Sequence, residues 1–374
     1  MDHLTFLDYP TLRLICWFAL GLLLIGFTVM DGFDLGIAAA LPYLGRTEHE
    51  RNQLLMSIEP VWEGNQVWFI LGGGLMFAAW PMVYAASFSG LYIPLFLVLS
   101  ALIIRPVGFN FREKISHPNW GKSWDIALCI GGIIPSLVFG VAFGNLFLGL
   151  PFQIDQELHV FYTGSFWQLF EPFALLCGCL SLTMIVTHGA VYAAIKTEGN
   201  IEIRAQRLAK RGSLLALSLF TIAGLLLMDI NGLKIIQGLS PNGPSNPLLK
   251  TVALYRGGWL ANYHIYKWMI FAPSLAYLGG IFTFALPISR YPTTVFISSC
   301  AMITGIILTA GYSLFPFLMP SITNPNSSLT VWDASSSHLT LFIIFIATIV
   351  FLPIVITYTA WVFHVMRGKV HVHP

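Results

Sequence analysis

Residues 57–68 read SIEPVWEGNQVW and run straight into residues 69–80, FILGGGLMFAAW. The second half has the apolarity of a helix made for lipid, while the first brings Glu59, Glu63, Asn65 and Gln66 to its edge. A carboxylate at the centre of a bilayer costs roughly 2.5–3.5 kcal/mol on insertion scales. The stretch therefore raises two questions: whether the chain lives in a membrane, and what so much polarity does there.

Composition answers the first. Of 374 residues 56% are hydrophobic and only 10% charged, and the mean hydropathy is +0.75. A soluble domain carries about 25% charged residues, so the chain reads as an all-α polytopic membrane protein, one integral-membrane domain over residues 1–374. A net charge of +2 with no basic tail gives no sign of nucleic acid as a partner. The N-terminal MDHLTFLDYP is acidic, and the apolar run LICWFALGLLLIGFTVM lacks a small-residue cleavage site. That run is expected to be a first transmembrane helix, not a removed signal peptide. Five cysteines (Cys16, Cys129, Cys177, Cys179 and Cys300) lie scattered in apolar segments without a CxxC pair, and read as small buried side chains.

A helix needs about 20 apolar residues to cross a bilayer. Segments of that kind fall near 11–31, 60–80, 83–104, 124–148, 165–192, 213–229, 264–287, 293–317 and 339–364, about nine transmembrane helices. With the N-terminus periplasmic, the inner loops and tail hold Arg46, Arg51, Arg105, Arg112, Lys114, Lys122, Lys196, Arg204 and six further basic residues. The outer side then holds Arg13, Lys234, Lys250, Arg256 and Lys267. Fourteen against five predicts a cytoplasmic C-terminus. The outer connections at 148–164, 231–264 and 320–337 are rich in Pro, Gly, Asn and Ser, which predicts turns and short ordered loops.

This topology gathers helix ends. The first helix finishes at MDGFDLGIAAALP, the second starts at SIEPVWEGNQVW, and the third returns at LIIRPVGFNFREK. Asp31, Asp34, Glu59, Glu63 and Arg105 are then expected at similar depth, towards the cytoplasm. Asp31 and Asp34 are spaced i,i+3 and Glu59 and Glu63 i,i+4, so each pair can share a face of an unbroken helix. Pro60 suits the first position of a helix, which would put Glu63 in the first turn, where the dipole favours its charge. The simplest reading is a set of solvated interfacial charges, with Arg105 a positive-inside anchor. Against it, Asn65 and Gln66 carry the polarity on towards the membrane, as a proton or cation entry would.

Ten histidines sit mostly in loops or tails; only His188 and His364 lie close to apolar sequence, both at expected cytoplasmic ends. A bis-histidine haem site is not expected in this chain, and no HExxH, P-loop or Rossmann glycine pattern occurs. Tryptophans cluster at expected helix ends, as an interfacial belt does.

The motifs GFTVMDGFDLG (26–36), VWEGNQVWFILGGGLMFAAWPMVYAASFSG (61–90), RPVGFNFREK (105–114), GVAFGNL (140–146), FPFLMPS (315–321) and SLTVWDASSS (328–337) resemble subunit II of the cytochrome bd-type quinol oxidases, the cyanide-insensitive branch included. The resemblance runs in order from the first helix to the ninth. It implies a nine-helix fold that pairs pseudosymmetrically with a subunit I in a bacterial inner membrane, within a respiratory chain. Subunit I would carry haem b, haem d and the ubiquinol-oxidising loop, and reduce O2 to water. Subunit II would support the haem sites, with room for a structural ubiquinone, membrane lipids and a small accessory subunit. The resemblance also implies a cytoplasmic proton route through the acid of the W-[DE]-G-N-Q-V-W motif. That acid is Glu63 here, where many relatives have aspartate. Trp62, Asn65 and Gln66 match the same motif, Asp31 and Asp34 match DGFD, and Arg105 matches RPVGF. Two rivals remain for the polar patch: the ion or substrate site of a proton-coupled secondary transporter, and a scaffold whose acids carry nothing.

Overall fold

A computed structural model describes residues 6–370; His3, His371 and His373 lie outside the described residues. Twelve helices make up most of the chain: α1 Tyr9–Leu44, α2 Glu48–Ile58, α3 Trp62–Ala79, α4 Pro81–Gly90, α5 Tyr92–Phe111, α6 Pro118–Leu148, α7 Pro172–Lys196, α8 Gly199–Leu227, α9 Ala261–Ile265, α10 Phe271–Ala285, α11 Pro292–Leu314 and α12 His338–Val365. Among the described residues eight helices are long and apolar enough to cross a membrane, or nine if the bent α3–α4 pair is one span. The expectation of about nine spans stands.

The helix expected at 213–229 begins at Gly199, because its first turns carry charges that hydropathy does not count towards a span. Three further differences have local reasons. The first span is not 11–31: α1 runs on unbroken to Leu44, so Asp31 and Asp34 lie inside a helix and not at its end. The segment 83–104 is not one helix: it breaks at Leu91, between α4 and α5, and a sharper turn precedes it at Trp80. Pro81 lacks an N–H and steers the residue before it away from helical angles; Trp80 sits at φ −136°, ψ 70° and the chain bends by 117°. The short α4 therefore lies across one end of the bundle, and α5 makes the return crossing. Pro60 does not open a helix either. It sits in the turn between α2 and α3, which interrupts the helix between Glu59 and Glu63 and removes their shared face.

α1 is the central post, packed against α3, α6, α7, α11 and α12. Its last third buries nearly every residue from Asp31 to Leu44. Such burial needs close backbone approach, and glycine supplies it. A Cβ on Gly36 would lie 2.2 Å from the Ile185 carbonyl oxygen of α7, and one on Gly132 of α6 would lie 2.5 Å from the Leu35 carbonyl of α1.

The two ends of the bundle differ. One carries three antiparallel hairpins, β1 Phe152–Ile154 with β2 Val160–Tyr162, β3 Asn231–Gln237 with β4 Thr251–Arg256, and β5 Phe317–Met319 with β6 Leu329–Thr330. All except β5, which precedes the 320–337 connection, fall within the connections expected to be turns and loops. This hairpin end is pinned to the start of α1 by Arg13, wholly buried, which donates to Ser335 Oγ (2.8 Å) and the Pro241 carbonyl (2.6 Å). A buried pair, Lys250 Nζ and Asp333 Oδ2 at 2.7 Å, ties the second hairpin to the third connection. Burial pushes the Lys250 ammonium below its ordinary value, and Asp333 opposes that.

The opposite end carries α2. Thr47 and Glu50 form a capping box at its start, and Arg204 of α8 reaches Glu50 Oε1 at 2.7 Å. Partial burial works to raise the Glu50 carboxyl, but the Arg204 hydrogen bond and the N–H groups of Arg46 and Thr47 outweigh it and hold the group below its ordinary 4.5.

Two outcomes follow. Gly36→Ala forces α1 from α7 and lowers stability by about 1–3 kcal/mol, whereas Gly73→Ala, whose Cβ meets nothing within 4 Å, leaves thermal unfolding of the purified protein near the parent value. Because the folded Glu50 value is depressed, its contribution is present above the ordinary 4.5 and lost as pH falls through the folded value. Melting scans below pH 5 should show Glu50→Gln with a flatter acid limb than the parent.

Candidate functional site

Three helices meet around one guanidinium near the α2 end. Arg105 of α5 donates from Nη1 to Asp31 Oδ2 (3.0 Å) and from Nη2 to Asp31 Oδ1 (2.8 Å), a two-pronged contact with a carboxylate of α1. The same Nη2 lies 3.9 Å from Asp34 Oδ2. Asn65 of α3 donates its amide to that Asp34 oxygen at 2.8 Å. Asp31 and Asp34 have no exposed surface, and Arg105 and Asn65 are 1% exposed. The indole of Trp62 covers the guanidinium at 5.9 Å from its ring centroid.

Helical spacing explains the grouping. Asp31 and Asp34 are three residues apart on the unbroken α1 and so face the same way. Pro106, immediately after Arg105, is carried within α5. The cluster holds two carboxylates against one cation, and it leaves two polar atoms without a partner among the described residues: Asp34 Oδ1 and Arg105 Nε. Three charged side chains with no water-exposed surface are tolerable only because they compensate one another.

Glu63 and Gln66 stand elsewhere. Successive helical residues turn by about 100°, so Asn65 points to the opposite side of α3 from the face that Glu63 and Gln66 share. Glu63 lies in the first turn of α3, is exposed, and makes no hydrogen bond or ion pair among the described residues. Gln66 is half-buried and likewise unbonded there. Glu63 begins a stripe of exposed residues, Val67, Ile70, Gly74 and Phe77, along α3. The helix therefore divides the expected polar patch into an inner, compensated cluster and one outward carboxylate. Beside that stripe α12 packs mainly on α1 and α3 and buries few of its residues.

Two further features lie apart from the polar cluster. His188 is the one fully buried histidine among the described residues, and both ring nitrogens are engaged, Nδ1 with Ser299 Oγ at 2.8 Å and Nε2 with the Val29 carbonyl at 2.9 Å. It pins α7 to α11 and α1, and offers no free nitrogen to an iron. His364, the other candidate, is exposed at the end of α12. The second feature is an apolar cavity of about 360 Å3 among α1, α3, α6, α7, α8, α9, α10 and α11. Phe27, Phe143, Phe173 and Phe220 wall it, with Ser181 and Tyr277 among its few polar groups. Its residues come from eight helices, so no local pattern announces it.

The description "Cytochrome bd terminal oxidase subunit II" matches residues 12–366 of this chain. A "probable cytochrome oxidase subunit 2" of Haemophilus influenzae is 44% identical over 363 residues, 97% of this chain and 96% of that protein. The "cytochrome bd-I ubiquinol oxidase subunit 2" of Escherichia coli K12 is 44% identical over 365 residues, with the same coverage. The "cytochrome bd ubiquinol oxidase subunit 2" of Bacillus subtilis is 30% identical over 381 residues, covering 96% of this chain and 97% of that one. Among solved structures, a chain of the bd oxidase of Geobacillus thermodenitrificans shares the fold, with a TM-score of 0.71 at 16% identity over 95% of this chain and 98% of that one.

Removing the cation from the inner cluster strands two buried carboxylates. Arg105→Gln is expected to cost about 3–5 kcal/mol, seen as a lower melting temperature or lost assembly. Combined with Asp31→Asn it should cost less than the sum of the two single changes; strict additivity in that cycle would mean the bridge is not formed.

Proposed function

The chain belongs to the cytochrome bd terminal oxidase subunit II family, and from that premise we propose how its two polar groupings serve a haem-containing oxidase. It is a multi-pass membrane protein whose family name implies a subunit I beside it. With that partner it passes electrons from ubiquinol to O2 in the respiratory chain of a bacterial inner membrane. The N-terminus and hairpin end face the periplasm, and the α2 end faces the cytoplasm. The matching family description over residues 12–366 favours this reading over a proton-coupled transporter.

Haem b and haem d are assigned to subunit I. Among the described residues the one fully buried histidine, His188, has both ring nitrogens in hydrogen bonds and so does not fit an iron. A structural ubiquinone is a different matter, because the cavity of about 360 Å3 suits a polyprenyl tail. Phe27, Phe143 and Phe173 would hold the tail, and the Ser181 hydroxyl can donate to a quinone carbonyl. Bound there it would supply packing between the surrounding helices rather than redox turnover.

The observation that carries the proton reading is the position of Glu63. A single carboxylate heads an otherwise apolar exposed stripe on α3, which suits a face covered by another protein better than one left in lipid. In this reading Glu63 takes up protons from the cytoplasm at the boundary with subunit I and passes them towards the partner's oxygen-reducing haem. Gln66, one turn deeper on the same face, can donate and accept hydrogen bonds along that route. The inner cluster of Asp31, Asp34, Asn65 and Arg105 acts mainly by fixing α3 against α1 and α5. It has a second capacity: a proton can be held at Asp34 Oδ1, which has no partner to give up.

Uptake on one side and release from quinol on the other moves charge across the membrane, worth about 2.3 kcal/mol per charge per 100 mV. In the assembled oxidase reconstituted in liposomes, Glu63→Gln should slow oxygen consumption and voltage generation together by about tenfold or more, while Glu63→Asp keeps most of both. Unchanged rates in Glu63→Gln would sink the route.

A further inference from the structure

The α2 end carries another polar recess, which the proposed oxidase chemistry does not use. It opens between the start of α2, the end of α5 and the start of α6, with a volume of about 520 Å3. Its floor is Asp125, 5% exposed, which accepts from Arg112 Nε at 2.7 Å and pairs with Arg51 Nε at 2.7 Å. Arg112, also 5% exposed, donates from Nη1 to Asn52. The Nη2 groups of both arginines donate to no described residue, and both arginines line the recess.

Charge is separated within this space. Two guanidiniums against one carboxylate leave the floor one charge positive, and Lys122 adds another at the wall. Glu48 and Glu113 bring two negative charges to the exposed rim, where Glu113 Oε1 also lies 3.7 Å from Arg112 Nη1. A bare anion would meet the rim carboxylates as well as the floor. A phosphate carrying its own ammonium satisfies both. Aromatic side chains flank the recess: Trp120 and Trp124 have ring centroids 5.9 Å apart, Phe111 lies 6.5 Å from Trp124, and the Trp120 indole N–H donates to the Phe111 carbonyl at 2.7 Å. Aromatic groups of this kind mark the headgroup layer.

We propose that this recess binds the phosphoethanolamine headgroup of a membrane phospholipid, its phosphate on Arg51 and Arg112 and its ammonium at Glu48 or Glu113. Planar guanidiniums suit the phosphate oxygens, which accept two-pronged contacts. The floor arginines are already fixed by Asp125 and Asn52, so little side-chain freedom is lost on binding. The bound lipid would brace α2 against α5 and α6.

The test uses the purified two-subunit oxidase, stripped of lipid in detergent and examined by native mass spectrometry. Dioleoylphosphatidylethanolamine, dioleoylphosphatidylglycerol or inorganic phosphate is added separately. The parent complex should retain one phosphatidylethanolamine more tightly than phosphatidylglycerol, and Arg112→Gln should weaken that retention by about tenfold or more. Because Arg112→Gln also frees Asp125, a second variant guards the result. A Cβ on Gly121 meets nothing within 4 Å, so Gly121→Trp fills the recess without disturbing packing and should weaken retention equally. Equal retention by parent and Gly121→Trp would overturn the site. Inorganic phosphate binding that phosphatidylethanolamine does not displace would overturn the lipid as its occupant.

Discussion

The structure depends on one buried ion pair. Arg105 has 1% of its surface exposed and can exist there only because Asp31 takes both of its terminal N–H groups, at 3.0 and 2.8 Å. That contact fixes α5 against α1 although the two helices pack together mainly through α6. Asp34 and Asn65 extend it to α3. Helices with little hydrophobic reason to prefer one neighbour over another in lipid gain a defined arrangement from such a contact. The small residues Gly36 and Gly132 serve the same end, letting α7 and α6 close on α1 beside the acids.

Once α1, α3 and α5 are locked, α3 becomes a wall with two chemically different sides. Its inner side, through Asn65, completes a cluster that is almost charge-compensated and shut off from solvent. Its outer side presents Glu63 at the start of an apolar stripe. A carboxylate that must exchange protons needs access, and one that must hold a fold needs partners. Dividing the acids between the two faces lets each environment meet one of those requirements.

Much of this was legible in the sequence, and the limits are physical. Hydropathy found the spans because the bilayer demands about 20 apolar residues wherever a helix crosses. It placed the break after Trp80 but missed the one at Leu91, because an apolar run stays apolar whether or not the helix within it is interrupted. The DGFD and RPVGF motifs put Asp31, Asp34 and Arg105 at one depth, and side-chain contacts bear that out. Separating Glu63 from Asn65 required knowing which way α3 is turned, and with it that Glu59 belongs to another helix. His188 was marked only as a histidine near apolar sequence, and its hydrogen bonds, the eight-helix cavity and the paired arginines on Asp125 were not readable. Each is assembled from residues far apart in the chain, with nothing local to set them apart from ordinary core or loop positions.

The central claim is that the outward acid admits protons while the inner cluster holds the helices. The most direct measurement is time-resolved proton uptake from the cytoplasmic side when the fully reduced oxidase meets O2, comparing the parent with Glu63→Gln. The account predicts that electron transfer begins at its normal rate while proton uptake is delayed. Uptake in Glu63→Gln as fast as in the parent would contradict it.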